Sequence, residues 1–319
     1  MLRSFLIYLS KAAWAQNMVM NWKFAWDTAS RFVAGAKVDD AIKAIRELNA
    51  KNINVTLDHL GEHTSTPEEA SEATSEILNT LDEIKTSNVR ASVSIKLTQI
   101  GLALDENLCA QNLERILARA KERGNFIRID MEDTPYTDKT LDLLYQMRRK
   151  GYKNVGTVLQ SYLFRTEADA RKLLAHKIPI RLVKGAYQEP ADKAFAKKVD
   201  VDANYDLLAK IMIDAALALE SPKISDDGLF PPIPAIATHD ENRVDFARQY
   251  ALKVGLPKDA LEFQMLYGIR RDLQEQLVKD GYLVRVYVPF GTHWYPYFMR
   301  RLAERPANVW FFISNFFRK

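Results

Sequence analysis

The sequence is poor in cysteine, since Cys109 is the only one among 319 residues. A single cysteine excludes an intramolecular disulfide and any zinc or iron–sulfur site built from cysteines. Its scarcity is typical of a reducing compartment. No apolar run approaches the roughly 20 residues that span a bilayer. These absences favour a cytoplasmic protein.

Charge of one sign is not in large excess either. Lysine and arginine total 45 against 41 acidic residues, which gives a net charge of +4 without any long basic run. Nucleic acid is therefore not expected as a partner.

Two nucleotide-binding motifs are also missing. No two glycines are separated by one residue, which excludes GxGxxG, and Thr157 stands where the P-loop spacing of Gly151 and Gly156 requires lysine.

The N-terminal segment contains no acidic residue before Asp27. Its apolar run, Phe5 to Leu9, ends before Lys11 and is shorter than the roughly 7–15 residues of a signal peptide. Apolar residues at helical spacing, followed by tryptophans, predict an N-terminal helical arm over residues 1–50. A basic, tryptophan-rich helix of this kind lies on a membrane surface or packs on its own domain or a sister subunit. The sequence leaves both open.

Short β-rich runs alternate with long helical patterns along the rest of the chain. This alternation builds a parallel sheet with helices on the outside. Eight such units fit a closed (β/α)8 barrel of the TIM type better than an open sheet. We therefore predict an α/β fold with one barrel domain over residues 51–319. The predicted strands are Ile53–His59, Ala91–Leu97, Phe126–Glu132, Gly156–Ser161, Ile180–Ala186, Ile233–Thr238, Glu262–Leu266 and Leu283–Pro289.

Capping signals predict where several helices begin. Thr66, followed by proline and two glutamates, predicts one helix start, and Asn107 and Thr137 predict the next two. The segment Thr166–Asp169 has the pattern of a capping box. The helix at Asp202–Glu220 is predicted to follow a long loop.

Nearly all of the predicted strands end in polar side chains. Such residues gather at one mouth of a barrel, so together they predict a polar ligand pocket. One interpretation is a metal-dependent hydrolase that uses His59, Asp130, His239 and Asp240. Another is an enzyme with an organic cofactor whose anionic groups bind arginine and lysine, and a third is a non-catalytic binding barrel. The hydrolase lacks a pair of histidines close together on one strand or helix.

Four segments resemble the FAD-dependent proline dehydrogenase family, in the family's order and on the predicted fifth to eighth strands and last helix. They are Arg181–Tyr187, Ala237–Asp240, Glu262–Gly268, and Tyr287 with Tyr297–Glu304. Ser94–Leu97 and Ile129–Asp133 are similar to the family's second- and third-strand motifs. The resemblance implies a barrel with its last helix over the mouth, which oxidises L-proline to Δ1-pyrroline-5-carboxylate. A hydroxyproline dehydrogenase is the nearest alternative.

The resemblance also implies the partners. Hydride passes from C5 of proline to flavin N5 of FAD, and the electrons pass to a membrane quinone. The chain is too short to include the aldehyde dehydrogenase domain of bifunctional relatives, so a separate pyrroline-5-carboxylate dehydrogenase is expected. The aromatic, basic segment Val309–Lys319 and the N-terminal arm are candidates for peripheral contact with the inner face of the cytoplasmic membrane.

The resemblance assigns most site residues as well. Arg181 is placed beside flavin N5, and Gly185 is expected to allow backbone close to the cofactor. The substrate pocket is assigned Lys96, Asp133, Leu266 and Tyr287, with Lys96 paired to the acid after the third strand, although Asp130 also fits that motif. No metal is implied. The residues assigned to FAD are Gln160, Arg181, Val183, Lys184, Gly185, Ala186, Thr238, His239 and Glu304.

Tyr297, Arg300 and Arg301 form the most specific pattern. At helical spacing Tyr297 shares a face with both arginines, while the adjacent arginines diverge by about 100°. Two diverging guanidinium groups can bind one small carboxylate from two sides. Taken alone, the pattern also fits a solvated basic turn near a helix end. By resemblance, the three residues bind the substrate carboxylate.

Overall fold

A computed structural model describes residues 23–61, 64–220 and 223–304. Eight parallel strands close into a barrel in chain order, with the last strand beside the first. This confirms the predicted (β/α)8 barrel. The strands are β1 (Asn54–His59), β2 (Ala91–Ile95), β3 (Ile127–Ile129), β4 (Val155–Gln160), β5 (Ile180–Val183), β6 (Pro234–Ala237), β7 (Glu262–Leu266) and β8 (Leu283–Phe290).

In the described ranges, two α-helices precede the first strand, and every strand is followed by one α-helix. In the described ranges, none of them is long and apolar enough to cross a membrane. The helices are α1 (Lys23–Ala29), α2 (Val38–Ala50), α3 (Pro67–Ser87), α4 (Glu106–Glu122), α5 (Thr134–Arg149), α6 (Thr166–Ala175), α7 (Lys198–Ala218), α8 (Glu241–Val254), α9 (Arg271–Lys279) and α10 (Trp294–Glu304).

The helix starts agree with the capping signals only in part. Thr66 caps α3 as predicted, since its hydroxyl accepts from the backbone N–H of Glu69 at 3.2 Å. The prediction of Asn107 is wrong, because the carboxylate two residues earlier, Asp105, caps α4 by accepting from the N–H of Leu108 at 2.7 Å.

The remaining helix starts lie earlier in the chain or have a different cap. Helix α5 begins at Thr134 rather than Thr137, and α7 begins at Lys198. Thr166 does not form a capping box. It is the first residue of α6, and its hydroxyl donates to the carbonyl of Gln160 at 2.5 Å, back toward the end of β4.

The interior of the barrel is charged near the amino-terminal ends of the strands. Arg128 and Arg285 are each 1% exposed, and Glu262 is fully buried. Arg128 Nη1 donates to the carbonyls of Thr157 at 3.1 Å and Pro179 at 2.6 Å. Burial lowers the pKa of Arg128. Buried charged side chains therefore fill this end of the barrel, and the open space lies at the other end.

Helix α10 lies over the carboxyl ends of the strands, as the fold prediction stated. Its buried residues share a second core with α1 and with Leu60, which follows β1. The rings of Trp26 and Trp294 contact edge to face, 5.6 Å apart. Gly268, at φ +76°, follows β7, and a Cβ there would overlap the carbonyl oxygen of Arg31. This glycine lets the segment after α1 reach the barrel.

The predicted arm over residues 1–50 is described only in its second part. Ala41, Ile42 and Ile45 of α2 belong to the main core of the barrel. Residues 1–22 and the segment Val309–Lys319 lie outside the described residues, so membrane contact through either segment stays a prediction.

Candidate active site

A cavity of about 410 Å³ opens between the carboxyl ends of the strands and α10. Of the predicted site residues, Asp133 does not line it, and the side chain of Glu304 lies outside the described part of the chain. The structure brings the others together around this one cavity. They are Lys96, Gln160, Arg181, Val183, Lys184, Gly185, Ala186, Thr238, His239, Leu266, Tyr287, Tyr297, Arg300 and Arg301.

Arg181 lies on β5 and is only 5% exposed. Its Nε donates to Oε1 of Gln264 at 2.5 Å, and Nη1 donates to Oδ1 of Asp130 at 2.8 Å and to the hydroxyl of Ser94 at 3.1 Å. The guanidinium also lies 5.3 Å from the ring centroid of Tyr287. Four strands thus fix one cationic group in the floor of the cavity.

The acid that lines the cavity after β3 is Asp130, and the assignment of Asp133 to the pocket is wrong. Because β3 ends at Ile129, Asp130 is the first residue of the mouth, whereas Asp133 lies three positions further on, just before α5. Oδ2 of Asp130 accepts from the hydroxyl of Tyr287 at 2.7 Å. Burial, together with the charge of Asp130, raises the pKa of Tyr287 well above its ordinary value, so this phenol stays protonated.

The sequence predicted that Lys96 pairs with the acid after the third strand. In the structure, Lys96 pairs with Asp58 instead. Its Nζ lies 3.0 Å and 3.1 Å from the two carboxylate oxygens of Asp58, at the end of β1. The two side chains are 9% and 1% exposed. Lys96 follows β2, the neighbour of β1, and Asp58 pairs in register with Ser94. This brings the ammonium within reach of the first strand instead of the third.

Helix α10 contributes one wall of the cavity. Tyr297 and Arg301 are 6% and 9% exposed, and Arg300 is half-buried. The Arg301 guanidinium lies 5.2 Å from the ring centroid of Tyr297, in the range of a cation–π contact. Both arginines face the cavity, so the alternative of a solvated basic turn does not hold.

The loop after β5 is held by an ion-pair cluster. Lys184 Nζ lies 2.5 Å from a carboxylate oxygen of Asp202 and 2.5 Å from one of Asp240. Burial alone would raise the pKa of both acids, but the hydrogen bonds from Lys184, and from Lys198 to Asp202, hold these pKa values below the ordinary value. Lys184 is thereby tied to the starts of α7 and α8.

Gly185 lines the cavity, and its surroundings give a reason for a glycine besides the predicted approach of backbone to the cofactor. Its φ is +120°, and a Cβ there would overlap the ring of Tyr162. The Tyr162 hydroxyl donates to Glu189 at 3.3 Å, and Glu189 also accepts from the N–H of Thr134 at 3.0 Å. The glycine therefore lets the loop close onto Tyr162, while Glu189 ties it to α5.

The remaining polar residues of the β4 and β6 ends have fixed orientations. Gln160 Nε2 donates to the carbonyl of Glu132 at 2.8 Å. The Thr238 hydroxyl accepts from the N–H of Asp240 at 3.1 Å. Nε2 of His239 accepts from the N–H of Leu266 at 3.0 Å, so this nitrogen carries no proton in that contact.

The arrangement does not favour the hydrolase interpretation. Asp130 is bound to Arg181, Asp240 is bound to Lys184, and His239 accepts from backbone. His59 does not line the cavity, and burial lowers its pKa. Within the described ranges, no three His, Cys, Asp or Glu side chains are grouped as metal ligands.

Asp58, Tyr187 and Gln264 also line the cavity. The sequence places Asp58 and Gln264 among the polar strand ends that predict the pocket, but it assigned none of the three a role in the site. The signal for Gln264 is the period of two that places it on one face of β7 with Leu266. The signal for Asp58 is its place at the end of β1. Tyr187 stands in a loop, and no periodic signal identifies it.

The model of the proline dehydrogenase family matches residues 41–313. Proline dehydrogenase 2 of Bacillus subtilis is 40% identical to this chain over 317 residues, which is 99% of both chains. A proline dehydrogenase of Deinococcus radiodurans is 42% identical over 294 residues, 91% of this chain and 90% of its own.

Among solved structures, proline utilization A (PutA) from Bdellovibrio bacteriovorus, inactivated by N-propargylglycine, matches with a TM-score of 0.79 at 25% identity. The match covers 88% of this chain but 33% of that longer protein. The length of the chain therefore agrees with the shorter, monofunctional relatives. On the family match and these identities, the chain belongs to the proline dehydrogenase family.

Proposed function

We propose that this chain oxidises L-proline to Δ1-pyrroline-5-carboxylate with FAD as its cofactor. The observation that carries the proposal is that one cavity joins Arg300 and Arg301 of α10 to Arg181 of β5. Proline, the substrate in the relatives' names, combines a carboxylate with a small apolar ring. The two arginines suit the carboxylate, and Leu266 offers an apolar surface for the ring methylenes.

The residues of the cavity fit a flavin. Arg181 provides a fixed positive charge, which would stabilise a reduced, anionic ring. The cavity volume of about 410 Å³ lies within the range of about 300–1,000 Å³ that is usual for ligand and cofactor sites. Gln160, Thr238 and His239 place an amide, a hydroxyl and an imidazole on one side, next to the β5 loop. We assign these residues, with Val183, Lys184, Gly185, Ala186 and Glu304, to the binding of FAD.

FAD, when bound, supplies the acceptor for the two electrons of the reaction. The oxidation removes a hydride from C5 of proline, which the flavin would accept, and a proton from the ring nitrogen, which passes to water. It leaves a C5=N double bond. Arg300 and Arg301, with Tyr297, hold the carboxylate and so fix the position of C5. Tyr287 stays protonated and donates to Asp130. It therefore orients groups in the pocket and does not serve as the base.

Lys96 is assigned to closing the pocket. Because its ammonium is bound to Asp58 and both side chains are almost fully buried, it acts as a fixed charge in the wall of the pocket rather than as a proton carrier. The pair lines the cavity at the carboxyl ends of β1 and β2.

The proposal extends to the partners. We propose that the electrons pass to a membrane quinone and that the product passes to a separate pyrroline-5-carboxylate dehydrogenase. A cytoplasmic protein in peripheral contact with the inner face of the membrane would meet both, since a quinone resides in the lipid phase. The basic, aromatic terminal segments support this contact.

The test uses the purified protein under anaerobic conditions. We expect a yellow protein whose flavin absorption bleaches on addition of L-proline and not on addition of D-proline. The rate with trans-4-hydroxy-L-proline separates proline from hydroxyproline dehydrogenase. A colourless protein that contains stoichiometric zinc would overturn the proposal.

A further inference from the structure

Gln264 connects two charged groups inside the barrel. Its Oε1 accepts from Nε of Arg181 at 2.5 Å, and its Nε2 donates to Oε1 of Glu262 at 2.5 Å. Gln264 is 4% exposed and Glu262 fully buried. The oxygen and the nitrogen of a side-chain amide point in different directions. Both bonds therefore form together in only one orientation of the amide.

Glu262 is held in turn by Arg285. Nε of Arg285 donates to the two carboxylate oxygens of Glu262 at 3.0 Å and 3.1 Å. The other nitrogens of Arg285 donate to the carbonyls of Val55 at 2.9 Å and Gly228 at 2.7 Å. Backbone positions thus fix Arg285, Arg285 fixes the carboxylate, and the carboxylate selects the orientation of the Gln264 amide.

The end of this chain of contacts is the guanidinium of Arg181. Gln264 occupies its Nε, and Asp130 and Ser94 occupy its Nη1. A guanidinium is planar and its donors have a fixed fork geometry. Two anchored edges therefore determine where the remaining nitrogen, Nη2, points in the cavity. If the Gln264 amide were reversed, its NH2 group would face the Nε–H of Arg181, donor against donor.

We propose that Gln264 is a positioning residue for Arg181 and that Glu262 sets the orientation of its amide. The part of this inference that concerns turnover rests on the proposed function, because it takes Arg181 to act beside the flavin. The part that concerns the coupling of Gln264 to Arg181 is independent of it.

The first experiment compares two variants of the FAD-loaded enzyme. Gln264→Met keeps the length of the side chain but cannot hold the guanidinium, so we expect kcat to fall about tenfold or more, the effect of losing a hydrogen bond to a charged group. The proline KM should stay within about twofold, because the carboxylate site on α10 is untouched. The midpoint potential of the bound flavin should also shift, since the fixed charge moves.

The control is Thr74→Val on α3, which removes a buried hydroxyl and keeps the shape of the side chain. Thr74 is fully buried, and its hydroxyl donates to the carbonyl of Ala70 at 2.7 Å, away from the contacts of Arg181, Gln264 and Glu262. We expect kcat and the midpoint potential of this variant to stay as in the parent. If Gln264→Met kept kcat and potential, or if Thr74→Val changed them equally, Gln264 would not be a positioning residue.

The second experiment is a double-mutant cycle on thermal unfolding, which needs no catalytic activity. Removing Gln264 leaves the Arg181 donor buried and unpaired, so Gln264→Met combined with Arg181→Met should lower the midpoint by less than the sum of the single changes. Thr74→Val with Arg181→Met should be additive. If the Gln264→Met single variant fails to fold but the double variant folds, the coupling is supported. Additive Gln264 and Arg181 effects, or failure of both variants to fold, would overturn it.

The two experiments separate the two proposals. An inactive, flavin-free parent protein with a non-additive cycle would reject the proposed function and keep the coupling of Gln264 to Arg181. An active flavoprotein with an additive cycle would support the proposed function and reject the coupling of Gln264 to Arg181.

Discussion

The hydroxyl of Tyr287 donates to Oδ2 of Asp130 at 2.7 Å, while Oδ1 of the same carboxylate accepts from Arg181 at 2.8 Å. One acid after β3 therefore joins a tyrosine of β8 to an arginine of β5 across the mouth of the barrel. Because Tyr287 is also stacked against the Arg181 guanidinium, the three side chains form one unit.

Tyr287→Phe tests this unit with little change of shape. Removing a hydrogen bond to a charged group typically costs about 1.5–3 kcal/mol. We expect kcat/KM for proline to fall by roughly tenfold or more, with FAD content unchanged. The control is Tyr145→Phe on α5, whose hydroxyl is buried without a hydrogen-bond partner in the described structure. Steady-state kinetics with an artificial acceptor measure both. Equal activity of the two variants would show that the contact has no role in turnover.

The buried pair of Lys96 and Asp58 should be far more important for folding than a surface pair. Asp58→Ala removes the carboxylate that binds the buried ammonium, and breaking a buried ion pair from one side typically costs about 3–5 kcal/mol of unfolding free energy. The exposed pair of Lys51 and Glu275, 2.8 Å apart, is the control, and Glu275→Ala should cause little loss of stability, because solvent screens an exposed ion pair. Urea unfolding measures both. Similar losses in the two variants would mean that Asp58 does not hold Lys96 in solution.

Gly185→Ala should disturb the β5 loop because of Tyr162. Positive φ costs a residue with a Cβ about 1–2 kcal/mol, and the overlap with the ring adds an overpacking cost of about 1–3 kcal/mol. Gly151→Ala is the matched control, since φ is +91° there but nothing lies within 4 Å of the added Cβ. We expect a larger fall in unfolding temperature and in FAD content for Gly185→Ala.

A second change checks the cause of this effect. Tyr162→Ala combined with Gly185→Ala removes the ring that the new Cβ would meet, so the loss of stability in the double variant should be smaller than the sum of the losses in the two single variants. Additive losses in the double variant would show that backbone strain alone, rather than Tyr162, requires glycine at this position.

The ion-pair cluster around Lys184 predicts a dependence of stability on pH. The pKa of Asp202 is lower in the folded protein than its ordinary value. Its contribution to stability is therefore present above the unfolded pKa of about 3.9 and is lost as the pH falls through the folded value. We expect the unfolding temperature to drop on acidification below about pH 4 and part of this drop to be absent in Asp202→Asn.

The control for the acid-dependent loss is Asp200→Asn, an exposed acid in the first turn of the same helix. This variant should keep the full loss of stability on acidification. Thermal unfolding between about pH 3 and 7 measures all three proteins. If Asp200→Asn and Asp202→Asn reduced the acid-induced fall in unfolding temperature equally, the cause would be the helix terminus and not the pairing of Asp202 with Lys184.

The fold was predictable because the signal for each strand lies within a short stretch of the sequence. A β-rich run that ends in a polar group and is followed by a helical pattern can be recognised without knowledge of distant residues. The strand predicted at Glu262–Leu266 has the same bounds in the structure. The polar pocket was predictable for the same reason, since a parallel barrel brings all strand ends to one mouth, whereas most of its residues were assigned by the family resemblance.

Pairings across the barrel could not be read in this way. The partner of Lys96 depends on the register between β1 and β2, and a sequence does not show register. The choice between Asp130 and Asp133 depended on where β3 ends, a boundary that shifted by three residues from the prediction. The need for glycine at position 185 comes from Tyr162, which is 23 positions earlier in the chain.

The two arginines of α10 predict a separation of binding from chemistry. Arg301 is 9% exposed and stacks on Tyr297 in the cavity wall, where a charge-assisted bond to a carboxylate is strong. Its loss should cost about 1.5–3 kcal/mol, or roughly ten- to hundredfold in affinity. A carboxylate is bound in both the ground and transition states, so Arg301→Met should raise the proline KM more than it lowers kcat.

A second arginine gives the matched control for Arg301→Met. Arg271 lies over the ring of Tyr267, 5.8 Å from its centroid, but outside the cavity. Arg271→Met removes a similar cation–π contact, so it should leave the proline KM unchanged. Slow oxidation of pyrrolidine, which has no carboxylate, should proceed equally in all three proteins, with equal FAD content. If Arg301→Met slowed pyrrolidine and proline by the same factor, Arg301 would support the helix and would not bind the substrate carboxylate.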